Sequence, residues 1–323
     1  MTLEELYQAK AQCVKKLRAY NVYAADKGIR IPYQDKFATP EYADLIKAPM
    51  DELHRVMSEI FKIQLAMTGK DHFTKDNVWV WGGPTPSWGG SMAKDASIKA
   101  AQYFGFSNIM YVYGALNEEM MEIHKDCANV ICHLGQNCRT AGAQVLSDIE
   151  EAEYLSELSL KYKNIRGGVI DDMTGNYGPK YNLKTYKGMH DAIKKHNPDL
   201  ELYAVVYTHE LDMPQVRVIS PCIDRVILWT WNVQDLTDIE MNVEKCRLVF
   251  PGKKIMMGVF MFDYGLTIMP NQPDAMIYQL TKAKKFLREG KIDDVVILGD
   301  REIEKCPAAA VAIKEFFAKE FAL

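Results

Sequence analysis

Four acidic side chains stand at or soon after the ends of apolar runs, where they could act as acids, bases or nucleophiles. Asp171 and Asp172 follow the run GGVI, Glu210 lies three residues after LYAVVY, and Asp263 follows VFMF. Carboxyl groups in different surroundings can divide proton donation and proton acceptance between them. The sequence predicts Asp172 as nucleophile, base or stabiliser of an intermediate, Glu210 as proton donor, and Asp263 as a second-choice partner.

The neighbouring pair Asp171 and Asp172 poses a question of orientation. Successive side chains of a strand point to opposite sides, so we expect only one of the two to face a site and the other to orient a loop. The alternative is that both cap the turn that follows. Glu210 has a comparable alternative, as a cap of the short helix near Pro214.

Aromatic, histidine and amide side chains stand near the ends of the same runs and of their neighbours. Aromatic faces pack against the C–H faces of a sugar ring, while polar groups bind its hydroxyls. Core packing is the alternative for the aromatic rings, and a structural role is the alternative for the histidines. The substrate-binding candidates are Trp81, Trp88, Tyr113, His133, Tyr177, Tyr207, His209, Trp231, Asn232 and Tyr264.

A scaffold must bring these run ends together, and from Asn77 onward eight apolar runs alternate with segments of helical period. Their nearly continuous hydrophobicity is typical of parallel strands covered by helices on both faces. Eight strand–helix units over about 250 residues predict a (β/α)8 TIM barrel, with its active site at the C-terminal ends of the strands. The runs are 78–81, 108–113, 129–134, 166–170, 201–207, 225–231, 254–262 and 294–298.

Local signals place the helices and divide the chain. Ser147 and Glu150 form the S-x-x-E pattern of a capping box, and Pro273 lies in the first turn of the seventh helix. Residues 1–76 lack the alternation and predict a helical N-terminal extension, with helices at 3–20 and 50–68, packed on a catalytic barrel at 77–323. The alternative fold is an open doubly wound sheet, but its usual glycine-rich phosphate-binding turn does not occur.

The segment GVIDDM, together with Glu210, Asp263 and the aromatic run ends, resembles the superfamily of TIM-barrel glycoside hydrolases. The resemblance is architectural and covers residues 77–323. It implies an enzyme that hydrolyses a small saccharide or glycoside with two carboxyl groups and no cofactor. Many barrel glycosidases carry Asn-Glu after the fourth strand and Glu after the seventh, where this chain has Asp171-Asp172 and Asp263. The D-x-x-D-x-D-x-E pattern of chitinase-like barrels is absent.

Two other functions fit parts of the pattern. His133, Asp172, His209 and Glu210 could chelate a divalent metal in a sugar isomerase or epimerase. A barrel that binds carbohydrate without turnover is the non-enzymatic alternative. The sequence lacks the residues that two other classes of barrel enzyme require. Metal-dependent amidohydrolases need His-x-His at the end of the first run, and Schiff-base aldolases need a lysine in the central part of a run.

Composition narrows the partners and the compartment. The 39 basic and 43 acidic residues are interspersed and give a net charge of −4, which argues against nucleic acid and anionic membranes as partners. No run of about 18 apolar residues occurs, and the N-terminus is charged from Glu4 onward. Seven scattered cysteines without a CxxC pair favour a reduced, cytoplasmic protein. Nothing in the sequence indicates an oligomeric state.

Overall fold

The computed structural model describes residues 1–30, 38–66, 73–85, 90–135, 146–178 and 181–321. Eight parallel strands form a closed barrel in which each strand pairs with its neighbours in chain order. The predicted (β/α)8 barrel with a helical N-terminus is therefore confirmed. The strands are β1 (Val78–Gly82), β2 (Asn108–Tyr111), β3 (Asn129–Leu134), β4 (Ile165–Ile170), β5 (Glu201–Tyr207), β6 (Arg225–Trp229), β7 (Lys254–Val259) and β8 (Asp294–Leu298).

Helices separate the strands, and capping side chains mark where some of them begin. At the start of α5, Ser147 and Glu150 form the predicted capping box in both directions. The helices are α1 (Leu3–Asp26), α2 (Pro40–Ala66), α3 (Ala96–Phe104), α4 (Glu118–Ile123), α5 (Asp148–Lys161), α6 (Met173–Asn176), α7 (Leu183–Ile193), α8 (Pro214–Ile219), α9 (Ile239–Val249), α10 (Pro273–Arg288), α11 (Arg301–Lys305) and α12 (Pro307–Glu320). None of the described helices is long and apolar enough to cross a membrane.

Helix α2 begins ten residues earlier than the predicted start at 50, and Pro49 lies inside it. Proline removes one helical hydrogen bond. The stripe of Tyr42, Ile46, Leu53 and Ile60 is fully buried, and this tertiary packing outweighs the local preference. Helices α1 and α2 pack on each other, and Phe61 of α2 stacks on Tyr278 of α10 at 4.1 Å. The division of the chain at residue 76 stays a prediction.

Two apolar layers hold the barrel. One lies between the strands and the surrounding helices, and the other fills the interior of the barrel. Strand alternation sends Val78 and Val80 outward and Trp79 and Trp81 inward. The buried interior residues are Trp79, Trp81, Met110, Val112, Ile131, Val169, Tyr203, Val205, Ile227, Trp229, Met256, Phe260 and Val296.

The N-terminal end of the barrel interior is closed by an ion cluster. Arg225, at the start of β6, bonds to both Glu201 and Asp294, and its guanidinium lies 5.4 Å from the centre of the Tyr203 ring. Trp79 Nε1 donates to Asp294 Oδ1 at 3.3 Å. We call the opposite end, where the strands have their C-termini, the mouth.

Arg225→Met should lower the free energy of unfolding by about 3 kcal/mol, because it leaves the largely buried Asp294 without its cation and Glu201 with only the exposed Lys254. Lys254→Met is the matched control, since Lys254 also pairs with Glu201 but is 53% exposed, and its loss should cost less than about 1 kcal/mol. Urea unfolding measures both. Equal losses in the two variants would contradict the structural role given to Arg225.

Candidate active site at the barrel mouth

Two tyrosines and two aspartates form a hydrogen-bonded chain at the mouth. Tyr113 Oη donates to Asp171 Oδ2 at 3.3 Å, the backbone N–H of Asp172 donates to Asp171 Oδ1 at 3.0 Å, and Tyr207 Oη donates to Asp172 Oδ1 at 2.6 Å. Both tyrosine rings pack on the barrel interior. The structure thus brings Tyr113, Asp171, Asp172 and Tyr207 together, and we call them the tyrosine–carboxyl chain.

The expectation that only one of the two aspartates faces the site does not hold, because β4 ends at Ile170 and strand alternation stops there. Asp172 adopts a left-handed backbone, with φ 47° and ψ 43°, at the start of α6. Its side chain makes no capping bond to that helix, so the predicted alternative of a capping role is not met for Asp172. The mouth tyrosines reach both carboxyl groups.

Backbone strain is concentrated in the same chain. Among the described residues other than glycine, three have a positive φ: Tyr113 at 63°, Asp172 at 47° and Ile268 at 54°. A left-handed backbone costs a residue with a Cβ about 1 kcal/mol or more. Two of these three residues belong to the tyrosine–carboxyl chain, so the fold holds this part of the mouth against its local preference.

Burial and like charge control the proton of the pair. Burial, and then the charge of Asp172, raise the pKa of Asp171 to about 8, against the opposing bonds from the Asp172 N–H and Tyr113. Asp171 is partly exposed, and Asp172 is exposed. Burial, and then the charge of Asp171, also raise the pKa values of Tyr113 and Tyr207 well above 10. The tyrosines therefore remain donors while Asp171 holds a proton at neutral pH.

Glu210 lies beside this chain, with a backbone partner of its own. Its side chain is buried, and Oε2 accepts the backbone N–H of Tyr207 at 3.0 Å, which caps the 3-10 turn 208–210 rather than the helix near Pro214. Burial raises the pKa of Glu210, and that hydrogen bond opposes the shift. The charge of Asp172 adds to the rise, so the two carboxyl groups interact electrostatically.

Asp263 occupies a different place from the one predicted from the sequence. It is 1% exposed, and its two oxygens accept five hydrogen bonds. The donors are the backbone N–H groups of Val233, Gly265, Leu266 and Thr267 and the hydroxyl of Thr267, at 2.6 to 3.3 Å. Asp263 therefore fastens the loop after β7 to the loop after β6, and we correct its predicted catalytic role to a structural one.

Three partly exposed rings line one side of the mouth, and we call Tyr207, Trp231 and Tyr264 the aromatic wall. Trp231 stacks on Tyr264 at 5.0 Å and meets Tyr207 edge-on at 4.9 Å. His209 is exposed and stacks on Tyr207 at 5.6 Å. The wall stands on the same interior cluster as Tyr113, so it adjoins the tyrosine–carboxyl chain.

Behind the wall, Tyr264 Oη donates to Glu302 Oε1 and accepts from Arg301 Nη2, each at 3.0 Å. Arg301 and Glu302 are buried and also pair with each other. Neither residue is among the candidate site residues predicted from the sequence, although both closely follow the eighth apolar run. Their position after that run was the available signal.

Two predicted substrate-binding residues, Trp81 and His133, are buried beneath the mouth. Trp81 is 3% exposed, so it belongs to the interior and not to an open sugar platform; its Nε1 donates to Tyr113 Oη at 3.3 Å. His133 is also buried, and its Nδ1 accepts the backbone N–H of Tyr113 at 3.4 Å. Both residues therefore support Tyr113 from below.

Two further candidates lie away from the tyrosine–carboxyl chain. Asn232 donates to Asp235 Oδ2 at 2.9 Å within the loop after β6. Tyr177 stacks on Tyr186 of α7 at 6.2 Å and packs on the outer apolar layer. Trp88 lies outside the described residues.

Metal ligands are not gathered at the mouth in the described ranges. Among the described residues, one group of three side chains could share an ion. It consists of Glu153 and Glu157 on α5 and His196 just after α7. The predicted set of His133, Asp172, His209 and Glu210 does not form such a group. The described residues thus give no support to a metal centre built from that set.

The free energy of unfolding of Asp172→Gly should be about 1 kcal/mol higher than that of Asp172→Ala, because glycine adopts a positive φ without strain. Both changes remove the same carboxylate, so its loss does not affect the comparison. The order should reverse at Asp191, inside helix α7, where glycine is less stable than alanine by about the same amount. Chemical denaturation of the four variants checks this. The same order at both positions would contradict the strain at Asp172.

Asp171→Asn should become more stable relative to the wild type as the pH rises. The folded protein binds the Asp171 proton more tightly than the unfolded chain does, so wild-type stability is lost as the pH rises from about 4 towards 8. The asparagine has no such proton to lose. Melting temperatures from pH 5 to 9 measure the difference, with the exposed Asp199→Asn as control. A difference that does not change with pH would contradict the raised pKa.

Comparison of the sequence with protein-family models finds no match, and comparison with curated proteins finds none. Solved structures similar to the chain include a mandelate racemase/muconate lactonizing enzyme-like protein from Rubrobacter xylanophilus (10% identity, 80% of this chain, 62% of that chain, TM-score 0.46). They also include concanavalin B (10% identity, 74% and 98%, TM-score 0.46). An FMN-binding β-glucuronidase from Facaelibacterium prausnitzii is a third (11% identity, 68% and 37%, TM-score 0.48).

Proposed function

We propose that the chain is a carbohydrate-active hydrolase whose chemistry takes place at Asp171 and Asp172. The observation that carries the proposal is the adjacent carboxyl pair itself: Asp171 accepts the backbone N–H of the more exposed Asp172, and burial and the charge of Asp172 raise the pKa of Asp171 to about 8. Glycoside hydrolysis needs such a combination, since one carboxyl group must donate a proton while another stabilises positive charge. The adjoining aromatic wall supports a saccharide as the substrate.

In this proposal the proton donor is Asp171, in place of Glu210. Asp171 gives its proton to the glycosidic oxygen as the bond from that oxygen to the anomeric carbon breaks. Asp172 acts as nucleophile, base or stabiliser of the positive charge that develops on the sugar. Water adds to the anomeric carbon; its proton goes back to Asp171 if Asp172 is nucleophile or stabiliser, or to Asp172 if Asp172 is the base, in which case Asp172 releases a proton to solvent and Asp171 takes one up. Glu210 remains the second candidate for the donor, because its pKa is also raised.

The two tyrosines orient the carboxyl groups in this scheme. Tyr207 Oη holds Asp172 at 2.6 Å, and Tyr113 Oη holds Asp171 at 3.3 Å. Their raised pKa values keep both hydroxyls protonated over the working pH range. Each tyrosine therefore fixes one carboxyl group without exchanging a proton with it.

The metal-dependent isomerase is the less favoured function, because the described residues do not gather its predicted ligands. A barrel that only binds saccharides remains the alternative outcome of the test. Sugar release from a panel of 4-nitrophenyl glycosides and oligosaccharides, measured with and without EDTA, separates the three functions. Hydrolysis should survive EDTA in the wild type and in Asp199→Asn, and should be lost in Asp172→Asn.

The donor can be identified from the leaving group. A 2,4-dinitrophenyl glycoside needs little protonation to depart, so a donor variant should keep its turnover there and lose about a hundredfold with a poorer leaving group. We expect this pattern for Asp171→Asn and a much smaller selectivity for Glu210→Gln. The reverse pattern would move the donor to Glu210. Full activity of Asp172→Asn, or no turnover by the wild type, would overturn the proposed function.

A further inference from the structure

Asn21, near the end of α1, is bonded to the loop after β7. Its side chain is 8% exposed, and Nδ2 donates to the backbone oxygen of Leu266 at 2.8 Å. Its Oδ1 accepts from Tyr42 Oη of α2 at 2.5 Å. One amide thus joins both N-terminal helices to the loop that carries Tyr264 of the aromatic wall.

The same loop presses directly on Trp231. A Cβ at Gly265 would lie 1.8 Å from Asn232 Oδ1 and 2.8 Å from Trp231 Cδ1, so the loop leaves no room for a side chain there. Arg30, just beyond α1, donates from Nη2 to the Gly265 backbone oxygen at 3.3 Å. The backbone at Gly265, which packs against Trp231, is therefore also bonded to Arg30, just after α1.

The loop after β6 is held in a similar way near the start of α1. Lys10 Nζ donates to Gln234 O at 3.1 Å and Thr237 Oγ1 at 2.6 Å, and it pairs with Asp238 at 3.1 Å. Asp263 fastens the loops after β6 and β7 to each other. The helix α1 therefore spans two joined loops, one leading from Trp231 and the other carrying Tyr264.

We propose that the N-terminal helices position the Trp231–Tyr264 pair, with Asn21 as the main positioning residue, and thereby set the affinity of the mouth for saccharide. The inference rests on the proposed function for its saccharide, but the placement of the pair can be tested without turnover. Asn21 does not touch the tyrosine–carboxyl chain in any described hydrogen bond, so it should act on binding and not on the chemical step.

The test compares Asn21→Ala with Asn164→Ala in the full chain. Asn164 is the matched control, because its amide also donates to backbone oxygens, those of His124 and Cys127, but ahead of β4 at the opposite end of the barrel. Hydrogen exchange should become about tenfold faster at the amides of residues 263–271 in Asn21→Ala alone, as expected for the loss of about one hydrogen bond. Acrylamide quenching of Trp231 fluorescence, taken as the difference from a Trp231→Phe background, should increase in the same variant.

The kinetic signature is a rise in KM without a fall in kcat. With the 4-nitrophenyl glycoside that the wild type hydrolyses best, Asn21→Ala should raise KM about tenfold and keep kcat within about twofold. Tyr42→Phe removes only the bond to Asn21 Oδ1 and should shift both exchange and KM in the same direction by less. It also serves if Asn21→Ala does not fold.

The outcomes separate the inference from the function beneath it. Unchanged exchange and quenching would overturn the positioning role, whatever the activity of the protein. Faster exchange with an unchanged KM would show a tethered loop that does not set affinity, and would also overturn it. If the wild type hydrolyses no glycoside, the proposed function fails, and the exchange and quenching results alone decide whether the helices position the pair.

Discussion

Two carboxyl groups on consecutive residues at the end of β4 impose the constraint on which the mouth depends. Ionising both in a partly buried space is unfavourable because like charges repel and burial penalises each charge. The fold meets this constraint by raising the pKa of Asp171 to about 8 and by directing a tyrosine hydroxyl at each carboxyl group. Asp172 has a left-handed backbone, and its side chain accepts the bond from Tyr207 in that conformation.

The rest of the barrel keeps these groups in place. The ion cluster around Arg225 closes the opposite end of the interior, and Trp81, inside the barrel, donates to Tyr113. On the other side, Asp263 joins two loops into one unit behind the aromatic wall. A structural carboxylate and a chemically active pair thus occupy the same rim, and their hydrogen bonds distinguish them: Asp263 has both oxygens saturated by loop donors, whereas each member of the pair accepts from a mouth tyrosine.

Sequence patterns predicted the barrel well because its signals are local. Burial of both strand faces makes the runs apolar, and the capping box at Ser147 is encoded within four residues. The predicted start of α2 was wrong, because tertiary burial of the helix outweighs the helix-breaking effect of Pro49. The position of Asp171 and Asp172 after β4 follows from the apolar run, but the orientation of the pair depends on a positive φ at Asp172 that strand alternation does not include. The role of Asp263 depends on amides from a distant loop, and that of Trp81 on hydrogen bonding inside the barrel, which no short pattern records.

The central claim is that Asp171 keeps its proton at neutral pH within the tyrosine–carboxyl chain. Infrared difference spectroscopy between the wild type and Asp171→Asn tests it directly, because protonated and ionised carboxyl groups absorb at different frequencies. We predict a carboxylic acid band in the wild type at pH 7 that disappears as the pH rises through about 8. A carboxylate band at pH 7 that converts to the acid only near pH 4 would contradict the account.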